Sequence, residues 1–255
     1  MAAYPIIVAA AFGAVIGSFL NVCIYRIPKG RSIVWPGSAC GSCGHTLAWF
    51  ENIPVVSYLV LRGRCRACRE PISLRYPFVE LLTAAMFAGA FWLYGPTVLF
   101  ASRVLFGCAL IVLFAIDLEY HLLPNVITIP GIIVGFAFSF VTPPGWLASL
   151  IGIIVGGGVL WAIAEGYYFL RKEEGLGMGD VKMLAMIGAF VGWKLTLVAL
   201  MMASFAGSIV GVLMIVSRRG GLKYALPFGT FLALGAALAA TIGPGVLSWY
   251  LGFYQ

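Results

Sequence analysis

Eight apolar runs, separated by charges, glycines and prolines, take up most of this chain and restrict it to a fold whose solvent is lipid. They lie near residues 4–25, 78–95, 97–116, 126–141, 147–169, 181–193, 195–217 and 226–251. A helix needs about 20 apolar residues to cross roughly 30 Å of hydrocarbon. Inside the bilayer the backbone must satisfy its own hydrogen bonds, which segments of this length do as helices. With 62% of 255 residues hydrophobic and 10% charged, the chain carries more apolar surface than a water-soluble domain can bury. The expected fold is an all-α polytopic membrane protein of about eight transmembrane helices with a small cytoplasmic insert. Gly95-Pro96 and Thr142-Pro143-Pro144-Gly145 punctuate neighbouring runs. About a dozen residues rise only roughly 18 Å, so the sixth run is expected to begin inside the membrane. The first run lacks a basic leader and is longer than a signal-peptide core, so it reads as a retained span.

The distribution of bases orients the chain. Arg26, Lys29, Arg31, Arg62, Arg64, Arg66, Arg69 and Arg75, then Arg171 and Lys172, then Arg218, Arg219 and Lys223 fall on one side by the parity of the runs, against Arg103 and Lys194 near the other. Positive charge stays inside, which places the N-terminus outside and residues 26–77 in the cytoplasm. The net charge of +7 is thereby assigned to topology and lipid contact, with no nucleic-acid partner. Three regions follow: a first transmembrane helix at 1–25, a cytoplasmic insert at 26–77 and a transmembrane bundle at 78–255.

The insert is too polar to span and too short to build an ordinary core unaided. Cys40-Gly41-Ser42-Cys43 and Cys65-Arg66-Ala67-Cys68 supply two hooks of paired thiols, separated by 21 residues, a little beyond the usual zinc-ribbon spacing. Each hook can present both sulfurs to one tetrahedral ion, and a four-thiolate site leaves no open position for catalysis, so the leading expectation is structural zinc. Redox chemistry or a metal-free pair of turns are the alternatives, and a cytoplasmic setting disfavours disulfides. Cys23 and Cys108 lie in apolar runs and read as small core residues. His45 reads as a loop residue, and His121 is a candidate for a pH-sensitive contact.

The chain has only two aspartates, Asp117 and Asp180, each at the edge of an apolar run. Two crossings separate them, so both return to the same face, cytoplasmic by the charge rule. Two adjoining carboxylates share one proton and can act as base and acid toward a water attacking a peptide carbonyl. Asp180 precedes a helix and Asp117 ends one, so the helix dipoles point to Asp180 as the base. Gly175, Gly177 and Gly179 let a substrate backbone approach and let the chain turn. Lys182 either binds a substrate acid or biases the pair. An aspartate at such a boundary can instead cap a helix or pair with Lys182 or Arg171. Matched depth favours chemistry, since ionisable groups in membrane segments are functional by default. A proton-coupled transporter is the rival from another class, and a zinc-ribbon adaptor without catalysis is the third.

The chain resembles the bacterial type IV prepilin peptidases, membrane-embedded aspartic proteases of the GxGD kind. The resemblance rests on Gly17-Ser18-Phe19-Leu20-Asn21-Val22-Cys23-Ile24-Tyr25-Arg26-Ile27-Pro28, the two cysteine hooks, Ser73-Leu74-Arg75-Tyr76-Pro77-Phe78-Val79-Glu80, Asp117 with Leu123-Pro124-Asn125, and Gly177-Met178-Gly179-Asp180-Val181-Lys182. It implies an inner-membrane enzyme of type IV pilus or type II secretion systems that cleaves prepilin or pseudopilin leaders after a glycine on the cytoplasmic face. It further implies N-methylation of the new terminus from S-adenosylmethionine. Asp117 and Asp180 match the catalytic aspartates, and Cys40, Cys43, Cys65 and Cys68 the zinc tetrad. Asn21, Arg26, Arg75 and Glu80 belong to matching motifs and are candidates for orienting the new amine or the cofactor.

Overall fold

The computed structural model describes residues 3–172, 177–217 and 226–252; Gly175, Arg218, Arg219 and Lys223 fall outside them. The named elements are α1 (Ala3–Arg26), α2 (Val56–Val60), α3 (Arg75–Tyr94), α4 (Val98–Tyr120), α5 (Asn125–Phe138), α6 (Trp146–Arg171), α7 (Met178–Val216), α8 (Phe228–Thr241) and α9 (Gly243–Gly252), with short 3-10 turns at Ile27–Lys29 and Trp49–Asn52. Extended pairing among the described residues is confined to two isolated bridges, Ala39 with Thr46 and Arg64 with Pro71. The chain divides into two compact units, 1–112 and 113–255, with the division inside α4.

In the first unit α1 packs on α3. Gly13 and Gly17, one turn apart on α1, allow the approach: a Cβ on Gly13 would fall 2.7 Å from the Phe87 Cβ, and one on Gly17 would fall 2.7 Å from the Glu80 Cα. Small residues at this spacing let helix backbones meet closely in lipid, where burying apolar surface gives little driving force. One turn on, Asn21 donates from Nδ2 to the Tyr76 carbonyl at 3.0 Å. Phe87, Ala90 and Val104 form the buried core beneath, edged by Ile16, Met86 and Phe100. Helix α3 begins at Arg75, three residues before the expected run, because Arg75, Tyr76 and Pro77 already hold helical backbone although a charge and a proline keep them out of an apolar run.

The second unit is built around α7, against which α5, α6 and α8 all pack. Every residue from Met183 to Gly192 is buried, as expected of a helix that is apolar all round. Gly152 and Gly156 on α6 face the backbones of Gly188 and Leu184 so closely that no side chain fits between them. Ser149 adds a buried hydroxyl donated to the Ala189 carbonyl at 2.7 Å. At Gly192 the helix breaks, with φ 76° and ψ 166°, a conformation that only glycine adopts cheaply. The Thr196 hydroxyl donates to the Gly192 carbonyl at 2.8 Å and satisfies it at the break.

Five helices among the described residues, α1, α3, α4, α6 and α7, are long and apolar enough to cross a membrane, and α8 with α9 make a sixth if that pair, bent by 64°, is one span. Helix α5 is apolar but has 14 residues and an internal Pro130. The expected sixth and seventh runs are joined in α7, whose 39 residues would measure about 58 Å if straight, nearly twice the hydrocarbon thickness.

Candidate active site and metal centre

Asp117 lies in the last turn of α4, and its own carbonyl accepts the His121 N–H at 2.9 Å, so the helix continues past the point where hydropathy falls. Its side chain is 5% exposed. Oδ2 accepts two hydrogen bonds from Thr230 in the first turn of α8, from the backbone N–H at 2.6 Å and from Oγ1 at 3.0 Å. Asp180 sits in the first turn of α7, partly buried, behind Gly177 as the N-cap. The two carboxylates are near enough for their charges to interact.

Leu123 packs against a glycine beside each of them. A Cβ on Gly179 would fall 2.9 Å from the Leu123 Cβ, and one on Gly229 would fall 2.8 Å from Leu123 Cδ1 and 3.0 Å from Asp117 Oδ2. Gly179 and Gly229 are thus small because Leu123 and Asp117 press against them. Gly177 holds ordinary extended backbone, φ −72° and ψ 137°. Lys182 is turned to another task, its Nζ donating to Asn125 Oδ1 at 2.9 Å, which ties α7 to the start of α5. Thr230 and Gly229 were not singled out from the sequence, and Asn125 was named only as part of a matching motif, without a role. The one available signal for both was Gly229-Thr230 at the start of the last apolar run, which parity returns to the same face as the aspartates.

In the insert the four candidate sulfurs of Cys40, Cys43, Cys65 and Cys68 all lie within 4.8 Å of one another. Cys40 to Cys68 is 3.8 Å and Cys43 to Cys65 is 4.0 Å. An ion about 2.3 Å from four tetrahedral sulfurs would set them about 3.8 Å apart, so the cluster can hold zinc. Both hooks have one design. The Cys40 N–H donates to the His45 carbonyl and the Gly44 N–H to the Cys40 carbonyl, and in the second hook Cys65 and Glu70, then Arg69 and Cys65, repeat the pattern. The backbone N–H groups of Cys43 and Ser42 hold the Cys40 thiol below its ordinary value, which suits a thiolate ligand. His45 is not a fifth ligand, since its Nε2 lies 3.2 Å from Glu51 Oε2. Glu51, buried, also accepts the Ala48 N–H at 2.8 Å and faces Arg66 of the second hook at 3.9 Å, so it links the two hooks. The Ala48 N–H and then the neighbouring His45 hold its carboxyl below the usual range.

A cavity of about 380 Å³ opens beside the hooks, within the range of small-molecule sites. Ser18, Asn21, Tyr25, Tyr58, Tyr76 and Glu80 contribute to its lining, together with Arg26, Cys40 and Cys65; Arg75 does not. Glu80 Oε2 accepts the Val55 N–H at 2.7 Å, and Ser18 also bonds this carboxyl. Asn21 is 2% exposed, and its Oδ1 is buried with no hydrogen-bond partner. Arg26 is occupied with the loop that follows it, donating to the Ser32 and Gly37 carbonyls at 3.0 Å each. Arg75 stacks over Tyr76 at 5.4 Å.

These parts define a multi-pass helical membrane protein with a carboxylate pair in one unit and a four-cysteine centre in the other. Residues 11–94 match the model of the bacterial peptidase A24 N-terminal domain, and residues 104–212 match that of the type IV leader peptidase family. A protein of Burkholderia pseudomallei named prepilin leader peptidase/N-methyltransferase is 38% identical over 92% of this chain and 84% of its own length. Proteins of the same name from Myxococcus xanthus, 42% identical over 80% of this chain and 62% of their own length, and from Pseudomonas aeruginosa, 34% identical over 94% and 91%, agree. No solved structure matches the chain significantly. The chain belongs to the type IV leader peptidase family.

Proposed function

We propose that this protein is an inner-membrane aspartic endopeptidase that removes the leader of type IV prepilins or pseudopilins and then N-methylates the new terminus from S-adenosylmethionine. What supports the peptidase assignment is that Asp117 and Asp180, the chain's only aspartates, come from helices far apart in sequence to within range of each other's charge. Brought within a few ångström of each other around a substrate, two such carboxylates hold one proton between them. The ionised member takes a proton from water as its oxygen bonds to the scissile carbonyl carbon, while the protonated member gives its proton to the carbonyl oxygen. Collapse of the resulting diol breaks the C–N bond, a proton passes to the leaving amine, and the pair regains its starting state. Gly177 and Gly179 border the position of the substrate backbone, and Lys182 braces that border through Asn125. A prepilin carries an apolar helix behind a polar leader, and a pair at a membrane edge can receive that helix from the side.

The cavity beside the hooks suits the second activity. Its buried Asn21 Oδ1 and the Glu80 carboxylate are acceptors for an amine, and the tyrosine rings offer faces to a cation or an adenine ring. S-adenosylmethionine supplies the electrophilic methyl group when bound. Arg26 shapes the neighbouring loop, Arg75 anchors the start of α3, and zinc on the four cysteines staples the insert. Eight crossings, with α5 short, α7 counted twice and α8 with α9 counted once, put the N-terminus outside and both sites on the cytoplasmic side under the charge rule. The regions are then a first span at 1–25, the zinc insert at 26–77 and the peptidase bundle at 78–255.

The peptidase test is cleavage of a prepilin-like peptide by purified protein. Asp117→Asn and Asp180→Asn are each expected to lower turnover by at least roughly a thousandfold while the thermal midpoint holds. Turnover within tenfold of the parent in either variant would return the field to the transporter and the adaptor.

A further inference from the structure

We propose that Thr230 is a positioning residue for Asp117, holding Oδ2 of that carboxylate as an acceptor and leaving Oδ1 to exchange the proton with water. This rests on the assignment of Asp117 to the peptidase pair. Both Thr230 donors converge on one oxygen, the backbone N–H at 2.6 Å and the hydroxyl at 3.0 Å. Thr230 is 5% exposed and stands third in α8, where backbone N–H groups have no partner within their own helix. The carboxylate therefore closes the start of α8 while α8 fixes the carboxylate.

A proton on Oδ2 would point into the Thr230 N–H, so proton traffic through Asp117 runs by the other oxygen. Gly229 enforces the approach. A methyl there would lie 2.8 Å from Leu123 Cδ1, closer than real side chains come, and 3.0 Å from Oδ2, tighter than most do. The pair of donors also removes the freedom of the carboxyl to turn about its last bond, and a reacting group held in one orientation is worth orders of magnitude in rate.

Thr230→Val keeps the shape and the backbone N–H and deletes the hydroxyl alone. It is expected to lower kcat on a prepilin-like peptide roughly tenfold to a hundredfold with KM unchanged, and Thr230→Ser is expected to restore at least half of the parent rate. Thermal midpoints of both variants are measured in the same detergent, and Thr230→Ala replaces the valine variant if the latter does not fold. A valine or alanine variant at the parent kcat, a loss carried by KM, or a loss that serine does not restore overturns the role given to Thr230. Asp117→Asn, assayed alongside, separates the two layers. If it is inactive and Thr230→Val is not impaired, only the positioning role falls, whereas an active Asp117→Asn removes the pair itself.

Discussion

Glu80 and Asn21 show how much a single position on a helix can be made to do. Both lie on the faces where α1 meets α3, made close by Gly13 and Gly17, and both are at least nine-tenths buried. Glu80 gives one oxygen to the Val55 N–H, where a β-branched residue sits at φ 61°, an unfavourable conformation that this bond helps to hold. Asn21 has both amide hydrogens' worth of donors used on carbonyls, of Gly17 and Tyr76, and an oxygen left over beside the cavity. If these are the acceptors for the new amine, Glu80→Gln should abolish methylation by roughly a hundredfold or more and leave leader cleavage near the parent rate. Mass spectrometry of the cleaved product, with and without the added methyl group, reads both outcomes on one sample. Equal loss of cleavage and methylation would reduce Glu80 to a structural prop. The aspartates and cysteines were legible in the sequence because their chemistry is rare in an apolar chain and costly without a purpose. Thr230 was not, because a threonine in an apolar run is ordinary and only a contact across 113 positions gives it a task.

At the scale of elements, apolar runs located helices well but not their ends. Helix α4 runs on to Tyr120 through Asp117 and Glu119, since helix formation follows backbone hydrogen bonding and propensity, whereas a hydropathy run stops at the first charge. A break at Lys194 was expected as the gap between runs; it falls two residues earlier, at Gly192, and the helix resumes after it. The cysteine hooks were legible as a pair but not as a structural repeat. In each, the residue four after the first cysteine takes positive φ: Gly44 at 72° in the first and Arg69 at 62° in the second. Glycine adopts this conformation without the Cβ clash that arginine meets. Arg69→Gly should therefore stabilise the second hook, by roughly 0.5–1 kcal/mol. The expected readout is slower release of zinc to a chelator from the full-length, zinc-loaded protein, with cleavage unchanged. Faster release would mean that the Arg69 side chain contributes more than its backbone conformation costs.

For the whole molecule the open physical quantity is how often the chain crosses the bilayer, and α7 decides it. A straight helix of 39 residues would project far beyond both headgroup layers, with Lys194 near its middle and therefore in hydrocarbon, where an ammonium costs several kcal/mol. Two crossings joined at Gly192 instead put Lys194 at the outer surface, beside Trp193, over which its ammonium lies at 5.6 Å, a pairing that suits an interface. The first of these crossings would be short, about 21 Å from 178 to 191, and α5 and α6 pack on it, at Met186, Ala189 and Phe190 and at Leu184 and Gly188, which covers part of its buried surface. A membrane-impermeant maleimide added to intact cells separates the alternatives, with Cys23 and Cys108 replaced by alanine and the four hook cysteines kept. A cysteine at Lys194 is expected to label from outside, and one at Lys172 only after the membrane is opened. Labelling of neither in intact cells, with both labelled after solubilisation in detergent, would leave α7 as a single crossing and would move the start of α8 to the other face, against the contact of its Thr230 with Asp117.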